Sequence, residues 1–311
     1  MSLPADSLSL RHALLALAVT AVWGSNFVVI HIGLEHLPPL LFAALRFLCA
    51  FLPAALFLKR PDVPWRNLAA YGLLVGAGQF GVLFIAMNGH ITPGLASLVV
   101  QTQVFFTIGL AMVLSGERVR PFQVAALLIT LVGLSIILLH TDGSTTGLGL
   151  ALVLVAAASW AGSNIVVRAT PGVDMVAYVV WASLFTVPPL LLLSLVFEGW
   201  PAMRDGLANA DAGTWAAVLW QSVGNTMFGY AMWGWLLSRY PVATIAPMAL
   251  LVPIFGMGAS ALWLGEPLQS WKLAAAGLVM AGLALNLLWP KLAAQLRRRE
   301  TPRPLPMPPS A

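Results

Sequence analysis

Long apolar stretches separated by short polar connections make up almost the whole chain. A helix needs roughly 20 mostly apolar residues to cross the hydrocarbon core of a bilayer, and ten stretches reach that length. They lie near residues 12–34, 38–58, 67–87, 93–114, 121–139, 147–168, 175–197, 213–237, 242–264 and 270–289. The alternation of apolar and polar residues that marks a membrane β-barrel does not occur. The pattern predicts an all-α membrane protein with ten transmembrane helices.

The composition agrees with this interpretation. Hydrophobic residues make up 59% and charged residues 9% of the 311 residues, whereas a soluble domain carries about 25% charged residues. The first apolar stretch has no small-residue cleavage site after it, so we interpret it as a helix and not as a signal peptide. The net charge of +5 arises in loops and in the C-terminal tail, where membrane topology explains it better than nucleic-acid binding does.

Lysine and arginine are distributed unevenly among the connections between the stretches. If the N-terminus is cytoplasmic, 13 of these residues fall in cytoplasmic segments and two, Arg204 and Lys272, fall in outer segments. Cytoplasmic loops of membrane proteins carry this excess of positive charge. We therefore expect a multi-pass protein of the bacterial inner membrane with both termini in the cytoplasm.

The two halves of the chain share short motifs in the same order. Residues 24–29 (GSNFVV) match residues 162–167 (GSNIVV) at a separation of 138 positions. Further matches pair Phe80-Gly81 with Phe228-Gly229, Pro93 with Pro241, Gly116-Glu117 with Gly265-Glu266, and Gly133-Leu134 with Gly282-Leu283. Matches in register indicate a duplication, with one repeat at residues 1–143 and the other at residues 144–290. Residues 291–311 are rich in arginine and proline, and we expect them to form a disordered cytoplasmic tail.

Each half holds five predicted helices, so the second half starts on the opposite side of the membrane from the first. The two repeats are therefore expected to be inverted with respect to each other. Many secondary transporters have this design, with the substrate site near the middle of the bilayer between the repeats. The alternative is that duplication is only the way a helical bundle grew. Inversion favours transport, because it supplies two nearly equivalent arrangements that open to opposite sides of the membrane.

Several short motifs in this chain are also found in a known family. They are VWGSNF at 22–27, ALRF at 44–47, GLASLV at 94–99, QTQ at 101–103 with FFT at 105–107, GER at 116–118, AP at 246–247 and LLVP at 250–253. With these motifs, residues 10–290 resemble the drug/metabolite transporter superfamily in its ten-helix EamA type. Within this superfamily the motifs resemble those of bacterial exporters of amino acids, such as those of O-acetylserine and cysteine or of aromatic amino acids. The resemblance implies a cavity lined by the first, third, fourth, sixth, eighth and ninth helices, and efflux of amino acids or related metabolites.

Polar side chains inside the apolar stretches are the candidate substrate-binding residues, because a polar group in hydrocarbon is costly unless it is paired or faces a wet cavity. Trp23 and Asn26 share one face of the first helix, and the repeat-related Trp160 and Asn164 share one face of the sixth. An amide can bind the carboxylate or the ammonium of a zwitterion, and an indole can contact an apolar side chain or a cation. The alternative for both asparagines is a hydrogen bond to a neighbouring helix.

Three other helices carry further candidates. Gln101 and Gln103 are two residues apart in the fourth helix, so we expect only one of them, Gln101, to face the cavity squarely. Gln79 is an isolated polar residue in the third helix. The eighth helix carries a set of stacking and hydrogen-bonding side chains near one face, namely Thr226, Tyr230 and Trp233.

Another group of residues is assigned to structural or gating roles. Arg46 lies deep in the second helix and could hold a substrate carboxylate or bond backbone carbonyls; its helix is outside the implied cavity lining, which favours the structural role. Pro247 and Pro253 each remove a hydrogen bond from the ninth helix and can kink or hinge it. Glu117 and Glu266 lie at helix ends beside turns, and we interpret them as caps or loop anchors.

The sequence predicts neither an enzyme nor a cofactor. It contains no glycine-rich phosphate loop, no carboxylate pair inside an apolar stretch and no Ser/His arrangement. His31, Glu35 and His36 form the only metal-like group, and without a third imidazole no metal site is predicted.

These patterns together predict a secondary transporter that exports amino acids or related small metabolites by alternating access through a central cavity. Its expected partners are the small-molecule substrate and the lipid bilayer, without nucleic acid, and a monomer is the simplest assembly. The alternatives are an efflux carrier for drugs or cationic amphiphiles, and a passive channel. The lack of a membrane-buried Asp or Glu as proton carrier favours facilitated diffusion, or coupling through another group.

Overall fold

All ten predicted stretches are helical in the computed structural model, which describes residues 9–115, 120–140, 144–168, 170, 172–240 and 245–300. The helices are α1 Leu10–Leu34, α2 Pro39–Ala55, α3 Trp65–Met87, α4 93–115, α5 Pro121–Leu139, α6 Gly147–Arg168, α7 Met175–Phe197, α8 212–239, α9 246–264 and α10 Ser270–Glu300. By length and composition, seven of them are suited to crossing a membrane, while α2 and Met248–Leu264 of α9 are shorter apolar helices. The prediction of an all-α membrane protein is confirmed.

Two segments add to the predicted pattern or differ from it. The connection after α7 contains a short helix, Gly199–Asn209, which is not among the predicted stretches. Helix α10 continues to Glu300, beyond its predicted end near residue 289. Leucine and alanine at 292–294 are strong helix formers and favour this extension. Residues 301–311, Pro241 and Gly116-Glu117-Arg118 lie outside the described residues.

Polar residues at helix ends explain where two of the helices begin. Asp174 Oδ1 accepts a hydrogen bond from the Val176 backbone N–H at 2.9 Å at the start of α7. Asp211 Oδ1 accepts one from the Thr214 backbone N–H at 2.7 Å at the start of α8. The Thr214 N–H and hydroxyl hold the pKa of Asp211 below its ordinary value. These carboxylates satisfy N–H groups that the first turn of a helix leaves without a partner.

Four helices depart from α-helical geometry near the middle of the bundle, and they do so in matched pairs. Helix α3 is π-helical over Leu74–Gly81 and α8 is π-helical over Trp220–Phe228. Helix α4 has a 3-10 segment at Val100–Thr102 and α9 has one at Ala246–Leu250. Such segments are frequent at hinges and functional sites. The two π-helical segments end at the matched Phe-Gly motifs, one at Gly81 and the other at Phe228, as a duplicated five-helix unit is expected to show.

The packing of the helices follows the same pairing. Helix α2 packs against α7 and α5 packs against α10, so these two helices of the first half contact their repeat-related counterparts. Helix α1 of the first half contacts α8 and α9 of the second half. In the same way, α6 of the second half, the counterpart of α1, contacts α3 and α4 of the first half. Helices α1, α3, α4, α6, α8 and α9 therefore surround the centre of the bundle.

The contact between α1 and α9 depends on Gly24. A Cβ atom placed at Gly24 would lie 2.5 Å from Phe255 Cβ and 2.6 Å from the Val252 carbonyl oxygen of α9. The repeat-related Gly162 is less crowded, because a Cβ there would meet Leu74 side-chain atoms at 3.4 Å. One glycine of the repeated motif is thus required by close packing, and the other is not.

We expect Gly24→Ala to destabilise the folded protein by roughly 1–3 kcal/mol, which is the usual cost of overpacking. The matched change Gly162→Ala is expected to be neutral or slightly stabilising, since alanine favours helix and its methyl group fits. Thermal unfolding of both variants in detergent checks this prediction. Equal unfolding temperatures for the two variants would contradict it.

Candidate functional site

A cavity of about 420 Å³ lies at the centre of the bundle. This volume falls in the roughly 300–1,000 Å³ range of small-molecule pockets. Its walls include residues of all six helices that the family resemblance implied, α1, α3, α4, α6, α8 and α9. Helices α7 and α10 add Met175, Leu283 and Leu287 to the lining.

Of the nine residues that the sequence analysis proposed for substrate binding, eight lie in the wall of this cavity, and Thr226 is hydrogen-bonded to Arg46 instead. The eight residues are Trp23, Asn26, Gln79, Gln101, Trp160, Asn164, Tyr230 and Trp233. They come from five different helices and are separated by up to 210 positions in the chain, between Trp23 and Trp233. Their convergence is a property of the fold, and their role in substrate binding remains a prediction.

The wall is mainly apolar but carries several amide groups, and no charged side chain occurs among its described residues. Six amide side chains face the cavity, namely Asn26, Gln79, Gln101, Gln103, Asn164 and Asn225. No Asp, Glu, Lys, Arg or His occurs among the described residues that line it. A neutral amide donates and accepts hydrogen bonds. The amides of this wall can therefore bond to a positive or a negative group of a bound molecule.

Aromatic rings form one side of the cavity, where α1 meets α8. The Trp23 ring centroid lies 5.8 Å from that of Tyr230 and 5.2 Å from that of Trp233. Trp23 Nε1 donates to the backbone carbonyl oxygen of Asn225 at 3.3 Å, in the π-helical segment of α8. This hydrogen bond and the ring contacts hold the indole in place, so the cluster offers a flat apolar surface to a ligand.

Asn164 is already engaged with the neighbouring helix. Its Nδ2 donates to Gln103 Oε1 at 3.0 Å and to Thr107 Oγ1 at 3.4 Å, both on α4. Thr107 Oγ1 also donates to Gln103 Oε1 at 3.3 Å. Of the two interpretations left open by the sequence, Asn164 therefore makes the interhelical hydrogen bonds while also lining the cavity.

Asn26 differs from its repeat-related counterpart. Its Oδ1 atom is buried and has no hydrogen-bond partner among the described residues, and the same holds for Gln79 Oε1. Buried polar atoms in native proteins nearly always have a partner, so each exception needs an explanation. These two acceptors are therefore candidate positions for a hydrogen bond from a bound molecule.

Gln101 and Gln103 both line the cavity, although only Gln101 was expected to face it squarely. Gln103 also accepts a hydrogen bond from Asn164 of α6, so it packs between two helices as well. In an α-helix, residues two apart point about 160° away from each other, whereas in a 3-10 helix the angle is about 120°. The 3-10 segment Val100–Thr102 begins just before Gln101 and so brings both glutamines to the cavity side of α4.

Two of the residues assigned to structural or gating roles, Arg46 and Pro253, are not among the described residues that line the cavity. Arg46 is fully buried on α2, where its Nη2 donates to Thr226 Oγ1 at 3.0 Å. Pro247 lies in the 3-10 segment of α9, and Pro253 is buried next to Val252, which lines the cavity. A hinge at these prolines stays a prediction. Glu266 accepts a hydrogen bond from the Gly94 backbone N–H at 3.1 Å, which confirms it as an anchor at a helix end.

Some lining residues were not predicted from the sequence. Met175, Leu283 and Leu287 are apolar residues of apolar helices, and nothing in their local sequence separates them from lipid-facing neighbours. Phe80 did carry a signal, because it belongs to the Phe-Gly motif shared by the two halves. Motifs repeated within the chain were thus a better guide than residue type alone.

The fold and the cavity define a membrane transporter for small molecules. The chain belongs to the EamA-like transporter family, whose model matches it twice, at residues 10–139 and 147–288. One match falls in each half of the helical bundle.

Relatives with descriptive names are similar over nearly their whole length. The chain is 41% identical over 285 residues to a probable amino-acid metabolite efflux pump of Salmonella typhimurium, covering 90% of this chain and 95% of that protein. It is 38% identical over 288 residues to a protein of the same description from Escherichia coli, with the same coverage. A solved crystal structure with 20% sequence identity superposes with a TM-score of 0.62 over 94% of this chain and 99% of that one, which supports the fold.

Proposed function

We propose that this protein exports amino acids or closely related metabolites across the bacterial inner membrane by alternating access. The observation that carries the proposal is the uncharged central cavity, in which two buried amide oxygens, Asn26 Oδ1 and Gln79 Oε1, have no partner among the described residues. The two relatives described as amino-acid metabolite efflux pumps support both the substrate class and the outward direction.

A zwitterion suits this cavity better than a molecule with a single charge. The wall supplies amide donors and acceptors for both ends of such a substrate, and no lining side chain among the described residues would balance one unpaired charge. The substrate ammonium would donate to Asn26 Oδ1 and Gln79 Oε1, which satisfies both oxygens. Its side chain would pack on the rings of Trp23 and Trp233.

The proposed mechanism uses residues 1–143 and 144–290 as inverted halves that rock around the cavity, with both chain termini in the cytoplasm. The π-helical and 3-10 segments support it, because each of the four helices that carry them contributes to the cavity wall. Pro247 and Pro253 would allow α9 to bend during the exchange. With no carboxylate among the described lining residues, facilitated diffusion down the substrate gradient is the simplest driving force.

Purified protein in liposomes provides the test. We expect saturable uptake of at least one labelled amino acid, accelerated when the same amino acid is present inside. Protein-free liposomes and liposomes with Asn26→Leu serve as controls. Uptake that neither saturates nor responds to internal substrate would indicate a passive channel and contradict the proposed carrier mechanism. If folded protein moves cationic amphiphiles but no amino acid, the proposed substrate class is wrong.

A further inference from the structure

Arg46 is a buried cation for which the described residues supply no counter-charge. Its side chain is fully shielded from solvent on α2, and only Nη2 has a hydrogen-bond partner, the Thr226 hydroxyl. Nε and Nη1 have no partner among the described residues. The two ion pairs found in the described part of the chain, Arg204–Asp205 and Glu266–Lys272, do not involve it.

A purely structural arginine would normally be satisfied more fully than this. Burying a charge costs free energy unless the charge is paired or fully hydrogen-bonded. The guanidinium of Arg46 is instead held by two phenyl rings, with its Cζ 3.8 Å from the Phe80 ring centroid and 4.9 Å from the Phe47 centroid. Two nitrogens of this buried cation lack partners among the described residues. This indicates that Arg46 has a role beyond the contacts that it makes in this structure.

The position of the guanidinium relative to the cavity indicates what that role is. Phe80 is part of the cavity wall, and Tyr230, another wall residue, lies near enough to interact electrostatically with Arg46. The charge therefore lies one side-chain layer behind the lining. In an apolar surrounding a charge acts over such a distance far more strongly than in water, so this side of the cavity is positive although its lining is neutral.

Arg46 also breaks the symmetry of the two repeats. At the separation of 138 positions that relates the GSN motifs, Arg46 corresponds to Leu184 in α7, and Phe47 corresponds to Phe185. The second half thus offers an apolar residue where the first half offers a cation. Two related halves surrounding one asymmetric zwitterion need a feature of this kind to give the substrate a single orientation.

We propose that Arg46 is a specificity-determining residue that selects the carboxylate of the substrate and directs it toward the wall formed by Phe80 and Tyr230. The inference rests on the proposed function, since it assumes an amino acid in the central cavity. It goes beyond a structural role for Arg46, because it requires that the charge of the guanidinium attract the substrate carboxylate.

The test compares transport of an amino acid with transport of its carboxamide, in which the carboxylate is replaced by a neutral amide. We expect the wild type to take up the amino acid with a KM at least about tenfold lower than that of the carboxamide. Arg46→Gln should bring the two KM values severalfold closer together, and the preference that the neutral cavity itself gives to a zwitterion should remain. Arg46→Lys should keep most of the preference, and Leu184→Gln, at the repeat-related position, should leave the ratio unchanged.

Several outcomes separate this inference from the proposed function. If the wild type transports no amino acid, the proposed function fails and the inference falls with it. If the wild type transports amino acid and carboxamide equally well, the inference alone is overturned, whether or not any variant folds. A folded Arg46→Gln protein with slower transport but an unchanged KM ratio would make Arg46 structural only. A severalfold weaker preference in Arg46→Gln together with a nearly unchanged preference in Arg46→Lys supports the proposal.

Discussion

Replacing Asn26 by Leu is expected to reduce transport roughly 10- to 100-fold without loss of stability. Hydrogen bonds to charged groups contribute about 1.5–3 kcal/mol, and the variant would lose one to the substrate ammonium. Leucine has nearly the shape of asparagine, and the Oδ1 atom it removes is buried without a partner among the described residues. Removing an unsatisfied buried acceptor should leave the unfolding temperature unchanged or raise it, while KM for the amino acid increases.

Asn164→Leu is the matched control at the repeat-related position. Asn164 makes two hydrogen bonds to α4, so its replacement leaves Gln103 Oε1 without its donor on α6. We expect this variant to unfold at a lower temperature than wild type and Asn26→Leu. Thermal unfolding and KM are measured on the same preparations, so that an effect on stability is separated from an effect on substrate binding. Normal transport by a folded Asn26→Leu protein would remove Asn26 from the substrate site.

Glu266→Gln is expected to destabilise the protein by roughly 3–5 kcal/mol, because it leaves a buried lysine without its counter-charge. Lys272 Nζ lies 2.8 Å from Glu266 Oε1, and the two side chains are only 5% and 8% exposed. Glu266 also accepts hydrogen bonds from the Thr92 and Ser260 hydroxyls and from the Gly94 N–H. It therefore fastens the start of α4 to the connection between α9 and α10, across the two halves.

The same carboxylate should make stability depend on pH. Burial alone would raise the pKa of Glu266, but hydrogen bonds from Lys272, Ser260 and Thr92 and the charge of Lys272 outweigh it, so the pKa is lowered. A carboxyl with a lower pKa in the folded state stabilises that state above its ordinary pKa, and the contribution is lost as pH falls through the folded-state value. Wild-type unfolding temperatures should thus approach those of Glu266→Gln in acid and exceed them near neutrality.

The double variant Glu266→Gln/Lys272→Met supplies the control. It removes the orphaned ammonium, so it should recover part of the stability that Glu266→Gln loses. A stability difference between wild type and Glu266→Gln that stays constant down to strongly acidic pH would show that the Glu266 carboxylate is not the source.

The sequence alone was sufficient to predict the helices, the repeated motifs and the family. Apolar stretches of membrane-spanning length leave few alternatives to a helix, because lipid offers no partner for a backbone N–H or C=O. Polar residues within such stretches are costly, so Asn26, Gln79 and Gln101 can be identified as candidates from their positions in the sequence. Their convergence on one cavity follows the same reasoning, since a cavity is where their cost is lowest.

Only the tertiary structure decided how each of these residues is used. Asn26 and Asn164 belong to identical GSN motifs, yet one has an acceptor without a partner among the described residues and the other is bonded to α4, because hydrogen-bond partners come from distant parts of the chain. Likewise, Arg46 is an isolated charge in the sequence, and only the fold places Phe80 between it and the cavity. Local sequence determines which segments are helical and which residues need a partner, whereas the packing of the helices determines which partner each one finds.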